Sequence, residues 1–281
     1  MNVVLRVRGN PWWIRQIETV SPAVELSQEE KLRRLVNAAL ATPYLSQRDR
    51  AEELLSARTL KDLPILPIRL VLDRKTQFLN PRAAKASASL RLPFETKSGV
   101  VVGKKFRLPK GVSRLDEGAI RRLHLSETRM LAAAPAELRR ICALIEARAL
   151  ALPHLCEAVV VLQGLEEGFL YPGERDMLWH CLGVPIFEQW LGLDGELLAV
   201  ECGVHQGMHF QGSRAELEEV DGELVVTSWF GLRTPAPRIA TGLTAEADHR
   251  VCACGDDRPL LVNVGLRQTA TSMQYQVASA R

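Results

Sequence analysis

Apolar and polar positions alternate in two different rhythms along this chain. In residues 28–41, "QEEKLRRLVNAALA", Leu32, Leu35, Val36, Ala39 and Leu40 fall on one stripe. That spacing predicts an amphipathic helix, ended by "TPY" at Thr42–Tyr44. From Ser56 to Leu92, short apolar runs mix with prolines and basic residues, which reads as loops and short strands. The stretch Glu95–Gly111, "ETKSGVVVGKKFRLPKG", is basic and punctuated by glycine. Val100–Val102 favour a strand there, in a solvated basic hairpin. Residues from about Leu115 to Leu152 read as helical, with Leu138, Ile141, Cys142 and Ile145 at helical spacing.

After Pro153 the rhythm changes. "EAVVVLQG" predicts a buried strand, "GERDMLWHCLG" a one-sided helix and "VPIFEQW" a second strand. Strand, helix and strand in that order predict a βαβ unit and a parallel sheet. Beyond Gly195, "LLAVEC", "AELEEV", "GELVVTSW" and "PLLVNV" are strand-like and separated by polar turns. The expected fold class is therefore α/β, with a mixed or parallel sheet layer flanked by helices and an appended β-rich portion. The expected division is a helical, loop-rich portion over residues 1–156 and an α/β to β-rich portion over 157–281. No repeat or low-complexity tract is visible.

Composition excludes several classes. The 281 residues are 47% hydrophobic and 25% charged, as in ordinary globular proteins. No apolar run approaches the roughly 18 residues of a membrane span, so no membrane association is expected. Arg and Pro break up "MNVVLRVRGNPWWIRQ", which therefore does not read as a secretory signal. A formal charge of +3 gives no reason to expect nucleic acid as a partner. Six cysteines are too few and too uneven for a disulfide scaffold, so reduced thiols and a cytoplasmic location are expected. Trp12 and Trp13 read as part of an N-terminal segment packed on the domain.

The candidate chemistry lies in "ECGVHQGMHF", Glu201–Phe210, and "VCACG", Val251–Gly255. Cys202 and His209 in one loop, with Cys252 and Cys254 in another, make a Cys3His set suited to a closed tetrahedral zinc site. The competing account is that these are small buried side chains, since free cysteine is often buried. Spacing alone leaves the two accounts level, because C-x-C is less diagnostic than C-x-x-C. His205 and His249 are reserve ligands. Cys142, Cys156 and Cys181 read as core residues, and His124 and His154 as surface or capping residues. His180 beside Cys181 is no ligand pair, because adjacent side chains on a helix point apart.

The order of motifs adds a resemblance. Gly173-Glu174 precedes a helix, Gly183-Val184-Pro185 opens a strand, and Glu201-Cys202 begins a loop ending in Gly207-Met208-His209. Then come Gly222-Glu223-Leu224-Val225 with Thr227, Arg238 with Thr241-Gly242, and Cys252-Ala253-Cys254-Gly255. Over residues 157–265 this order resembles the phenylacetate-CoA ligase branch of the adenylate-forming, AMP-binding enzymes. The resemblance implies part of their large N-terminal domain. It also implies a structural zinc on Cys202, His209, Cys252 and Cys254, and a chemistry that joins a carboxylic acid to CoA through an acyl-adenylate. ATP or AMP and Mg²⁺ are the implied cofactors, and a carboxylic acid is the implied ligand.

The nucleotide-handling positions depart from the family pattern. No Ser/Thr-Gly-Thr-Thr-Gly loop occurs, and "TKSGVVVGKK" is its nearest counterpart; no P-loop is present either. In place of Tyr-Gly-x-Thr-Glu the chain has "QWLGLDGE", where Glu196 or Asp194 stands for the metal-binding carboxylate. The ribose-binding Thr-Gly-Asp becomes Thr241-Gly242-Leu243, and Arg238 remains. Arg238, Thr241, Gly242 and Glu196 are thus the implied cofactor-binding positions. The family's C-terminal lysine domain is expected to have no counterpart. Three readings follow: a catalytically impaired accessory or binding protein, an acyl- or aryl-CoA ligase completed by a partner chain supplying that domain, and a zinc-stabilised interaction module.

Overall fold

The computed structural model describes residues 26–83, 90–93, 96–103, 108–125, 127–212, 214–229 and 232–267. Trp12 and Trp13 lie outside them. In chain order the helices are α1 (Gln28–Leu40), α2 (Arg48–Ser56), α3 (Ile68–Asp73), α4 (Pro135–Glu146) and α5 (Glu174–Leu182). The first strands are β1 (Leu66–Pro67), β2 (Gly99–Val102), β3 (Val112–Leu115), β4 (Met130–Ala133), β5 (Ala158–Gly164) and β6 (Ile186–Leu191). There follow β7 (Leu197–Glu201), β8 (Met208–Phe210), β9 (Ala215–Val220), β10 (Glu223–Ser228), β11 (Ile239–Ala240), β12 (Leu243–Asp248) and β13 (Leu260–Leu266).

The strands form two sheets. The larger runs β12-β13-β8-β7-β6-β5-β4-β2-β3, and the smaller β1-β11-β10-β9. Strands β3, β2, β4, β5 and β6 pair in parallel, whereas β6 through β12 pair antiparallel. The molecule is α/β, with mixed sheets flanked by helices.

Period-two alternation divides the larger sheet between two cores. Val100, Val102, Leu131, Ala133, Val159, Val161 and Ile186 face α4 and α5 through Leu138, Ile141, Cys142 and Leu178. Val101, Met130, Ala132, Val160, Leu162 and Phe187 face the other way, against Leu90 and Leu92. Burial on both faces explains the unbroken apolar runs, because a parallel strand covered on each side has no polar edge to show. A third core joins the sheets, with Trp190, Leu198, Ala199, Met208 and Phe210 against Leu224, Val226 and Leu243.

The predicted βαβ unit is β5–α5–β6, paired in parallel from Val159↔Ile186 to Gly164↔Leu191. Helix α1 matches its stripe, and Ser27 caps it by accepting from the Glu30 amide at 3.2 Å. Thr42 stops it by donating its hydroxyl to Ala39 O at 2.7 Å.

Two expectations are corrected. The stretch expected to be helical from Leu115 to Leu152 contains β4 and a 3-10 segment over Glu117–Leu125 before α4 begins at Pro135. "MLAA" is buried at all four positions between β2 and β5. A short apolar run of that kind carries no period to tell strand from helix. Val100–Val102 do form a strand, but β2 pairs in parallel with β3, so the segment is not a hairpin. The division expected at 156 falls between β4 and its parallel neighbour β5. Among the described residues no helix is long and apolar enough to cross a membrane.

Candidate functional site

Two loops meet at one end of the antiparallel half of the larger sheet. Strand β7 ends at Glu201, and the chain turns through Cys202, whose carbonyl accepts from the His205 amide at 3.1 Å. It then returns as β8, with His209 opposite Val200 of β7 and Leu260 of β13. Gly207 is required in this return. Its φ is +147°, and a Cβ there would lie 2.7 Å from Leu261 O. The second loop precedes β13 and folds around Cys252, whose carbonyl accepts from the Gly255 amide at 2.8 Å. Gly255 holds φ +87°, which an L side chain rarely adopts.

This hairpin and turn bring Cys202, His209, Cys252 and Cys254 together, with one ligand atom of each within 4.8 Å of all the others. Cys202 Sγ lies 3.8 Å from Cys252 Sγ, and Cys254 Sγ lies 3.3 Å from His209 Nε2. Metal–sulfur bonds of about 2.3 Å and metal–nitrogen bonds of about 2.0 Å imply tetrahedral edges of about 3.8 Å and about 3.5 Å. The donor set and its spacing are compatible with zinc. All but Cys202 are buried.

Electrostatics fit the same description. Burial, then the neighbouring thiols, pushes Cys254 up to about 12 and moves Cys202 upward as well. The Cys202 and Cys254 thiols, crowded out of water, resist ionising by themselves, and a bound divalent cation reverses that preference. Burial lowers the His209 pKa, which keeps the imidazole in its neutral, ligating form.

The reserve histidines are not in the cluster. His205 sits 2.9 Å from Glu201 Oε1 and 3.0 Å from Arg175, with its ring against Phe187. His249 is exposed. Of the three cysteines read as core, Cys142 is buried and Cys181 is partly covered. Cys156 is exposed, because it lies in the turn before β5 rather than on the strand.

The implied nucleotide positions are occupied internally. Arg238 is buried, pairs with both oxygens of Glu218 at 2.9 and 3.3 Å, and donates to Lys61 O and Leu63 O. Thr241 donates its hydroxyl to Leu224 O at 2.8 Å, and the Gly242 amide donates to Glu223. Leu243, in place of the ribose-binding acid, is 1% exposed in the core between the sheets. Glu196 is 5% exposed and lies against Gly192, where any Cβ would collide with its carboxylate. Burial pushes the Glu196 pKa upward. Asp194 accepts the Arg233 and Thr234 amides, a long-range contact between two loops.

Of these positions Glu196 lines the cavity at the carboxyl ends of β5 and β6, where α/β sheets usually bind ligands. The cavity there is about 10 Å³ and is lined by Leu165, Gly192, Leu193, Glu196, Ser228 and Thr234, among others. That is roughly the space of one water. Trp190 of β6 is excluded from solvent, at 0% exposed.

The sequence reading missed a charge network behind the metal loop. Arg175 of α5 donates to Glu188 at 2.7 Å and to Glu201 at 2.8 Å. Gln163 bridges Glu188 to the Leu170 amide. Burial, then Glu201, raises the Glu188 pKa, and Arg175 opposes this. A lone Glu in the middle of "IFEQW" was the available signal.

Comparison with known proteins places the fold. No protein-family model matches the chain, and no curated protein sequence matches it. Solved structures of 2-hydroxyisobutyryl-CoA ligase do. The postadenylation state with R3-HIB-AMP aligns at a TM-score of 0.61 and 12% identity, covering 89% of this chain and 69% of that one. The thioesterification state with 2-HIB-AMP and CoA aligns at 0.57 and 13%, covering 88% and 69%. The open conformation with 2-HIB-AMP and CoA aligns at 0.57 and 11%, covering 83% and 68%. The chain therefore has the fold of an adenylate-forming CoA ligase.

Proposed function

We propose that this chain is a zinc-stapled relative of the adenylate-forming ligases, nearest in motif order to the phenylacetate-CoA ligase branch, and that it does not itself adenylate a carboxylic acid. It serves as an accessory or binding protein. The carrying observation is that, among the described residues, the cavity at the carboxyl ends of β5 and β6 is only about 10 Å³. An adenylating site needs donors that cradle a polyphosphate and acids that hold ribose and Mg²⁺. Here Arg238 is bound to Glu218, Thr241 to Leu224, and Glu196 is sealed from water.

Zinc is proposed on Cys202, His209, Cys252 and Cys254, the geometry being that of a structural site with every corner filled by protein. When bound, the ion contributes folding free energy by clamping the β7–β8 loop to the turn before β13.

ATP–pyrophosphate exchange with a panel of aliphatic and aromatic carboxylic acids tests the reading. The isolated chain is expected to give no exchange above the no-acid control. Acid-dependent exchange by the isolated chain overturns it. Exchange that appears only with a co-purified partner carrying a lysine domain points instead to a ligase assembled from two chains.

A further inference from the structure

His209 presents two different edges. Its Nε2 lies 3.3 Å from Cys254 Sγ and so faces the sulfur cluster. Its Nδ1, on the opposite edge, is buried and lacks a hydrogen-bond partner, in a ring that is 1% exposed. Asp256 Oδ1 stands 3.8 Å from that nitrogen. The Asp256 carboxylate is itself held in place. Oδ1 accepts from the Arg258 amide at 3.0 Å and from Arg258 Nε at 2.9 Å, and Oδ2 accepts from Nε at 3.0 Å and from Nη2. Asp256 also reaches the cluster through its main chain, its amide donating to Cys254 Sγ at 3.4 Å.

The geometry points to Asp256, braced by Arg258, as a positioning residue of the metal centre that serves two ligands at once. By closing the 3.8 Å gap its carboxylate accepts a hydrogen bond from His209 Nδ1–H, which fixes the tautomer and turns Nε2 toward the ion. Its amide donates to the Cys254 sulfur and stabilises the thiolate. This rests on the zinc reading above. The physical reason is general: a ligating imidazole whose far N–H is held by a carboxylate is a stronger base and cannot swing away. The sequence places the needed residue in "CACGDDR", two positions after a ligand, where the turn at Gly255 brings it back over the site.

One competitor is present, since the main chain of Arg258 also lies beside the ring. Zinc competition against a chromophoric chelator, run on the full chain, separates the two. Asp256→Ala is expected to weaken zinc binding about 10–100-fold. Asp256→Asn, which keeps an acceptor oxygen and the same amide, is expected to recover most of the loss. Arg258→Met, which frees the carboxylate to move, falls between wild type and Asp256→Ala. Each variant is expected to lose more melting temperature in the zinc-loaded than in the chelator-stripped form, whereas a merely structural role for Asp256 costs both forms alike. Wild-type affinity in both Asp256 variants overturns the proposal and assigns the Nδ1 proton to the Arg258 carbonyl. A wild-type chain that takes up no zinc overturns the underlying metal reading, and this inference with it.

Discussion

Arg238 spends its donors on Glu218, Lys61 O and Leu63 O, in a side chain only 10% exposed. It ties the smaller sheet to the segment before β1. Arg238→Ala leaves Glu218 charged and unpaired, so unfolding free energy in urea is expected to fall by about 3 kcal/mol. A residue that served a nucleotide would leave stability unchanged. Glu196 carries a second prediction, on pH. Burial raises its folded pKa above the ordinary carboxylate value, and so favours the protonated form. Its stabilising contribution is therefore full below the unfolded pKa and is lost as pH rises through the folded one. Glu196→Gln should match wild type at pH 4 and exceed it increasingly toward neutrality, read from melting temperatures across that range. A gap that stays constant with pH contradicts the assignment. Gly207→Ala forces a Cβ toward Leu261 O at 2.7 Å, and a loss of about 1–3 kcal/mol is expected by denaturant titration.

Elements differed in how much they announced themselves. Helix α1 and the β5–α5–β6 unit were legible because length and period both spoke: a stripe with its stop at Thr42–Tyr44, and two buried runs around a one-sided helix. Strand β4 was not, because four apolar residues become a strand only when β2 and β5 flank them, and that pairing is invisible locally. The four metal candidates were legible because Cys and His are rare enough to stand out. Asp256, Arg175 and Glu188 were not, because a charged residue near a turn or within a strand reads as solvated until its partners are placed. Joining β7–β8 to the turn before β13 is the work proposed for the ion, so Cys252→Ser with Cys254→Ser should release it. The melting temperature should fall by several degrees, and the double variant should respond no further to chelator. An unchanged melting curve contradicts this.

At the scale of the whole molecule, the chain shares the fold of 2-hydroxyisobutyryl-CoA ligase, and the carboxyl ends of β5 and β6 are proposed to admit no nucleotide. Trp190 is buried, Leu243 lies in the core, and Leu165 and Leu193 line the small cavity beside Glu196. A ligand bound at 100 times its dissociation constant would stabilise the fold by about 2.7 kcal/mol. Millimolar ATP or AMP is expected to leave the melting temperature unmoved, and a shift of several degrees would reopen the enzymatic reading. The account turns most directly on metal content. Elemental analysis of the chain, purified without added metal or chelator, is predicted to find zinc near one equivalent in wild type. The Cys252→Ser, Cys254→Ser variant should hold almost none. Wild type with no zinc, or a variant that keeps a full equivalent, contradicts it.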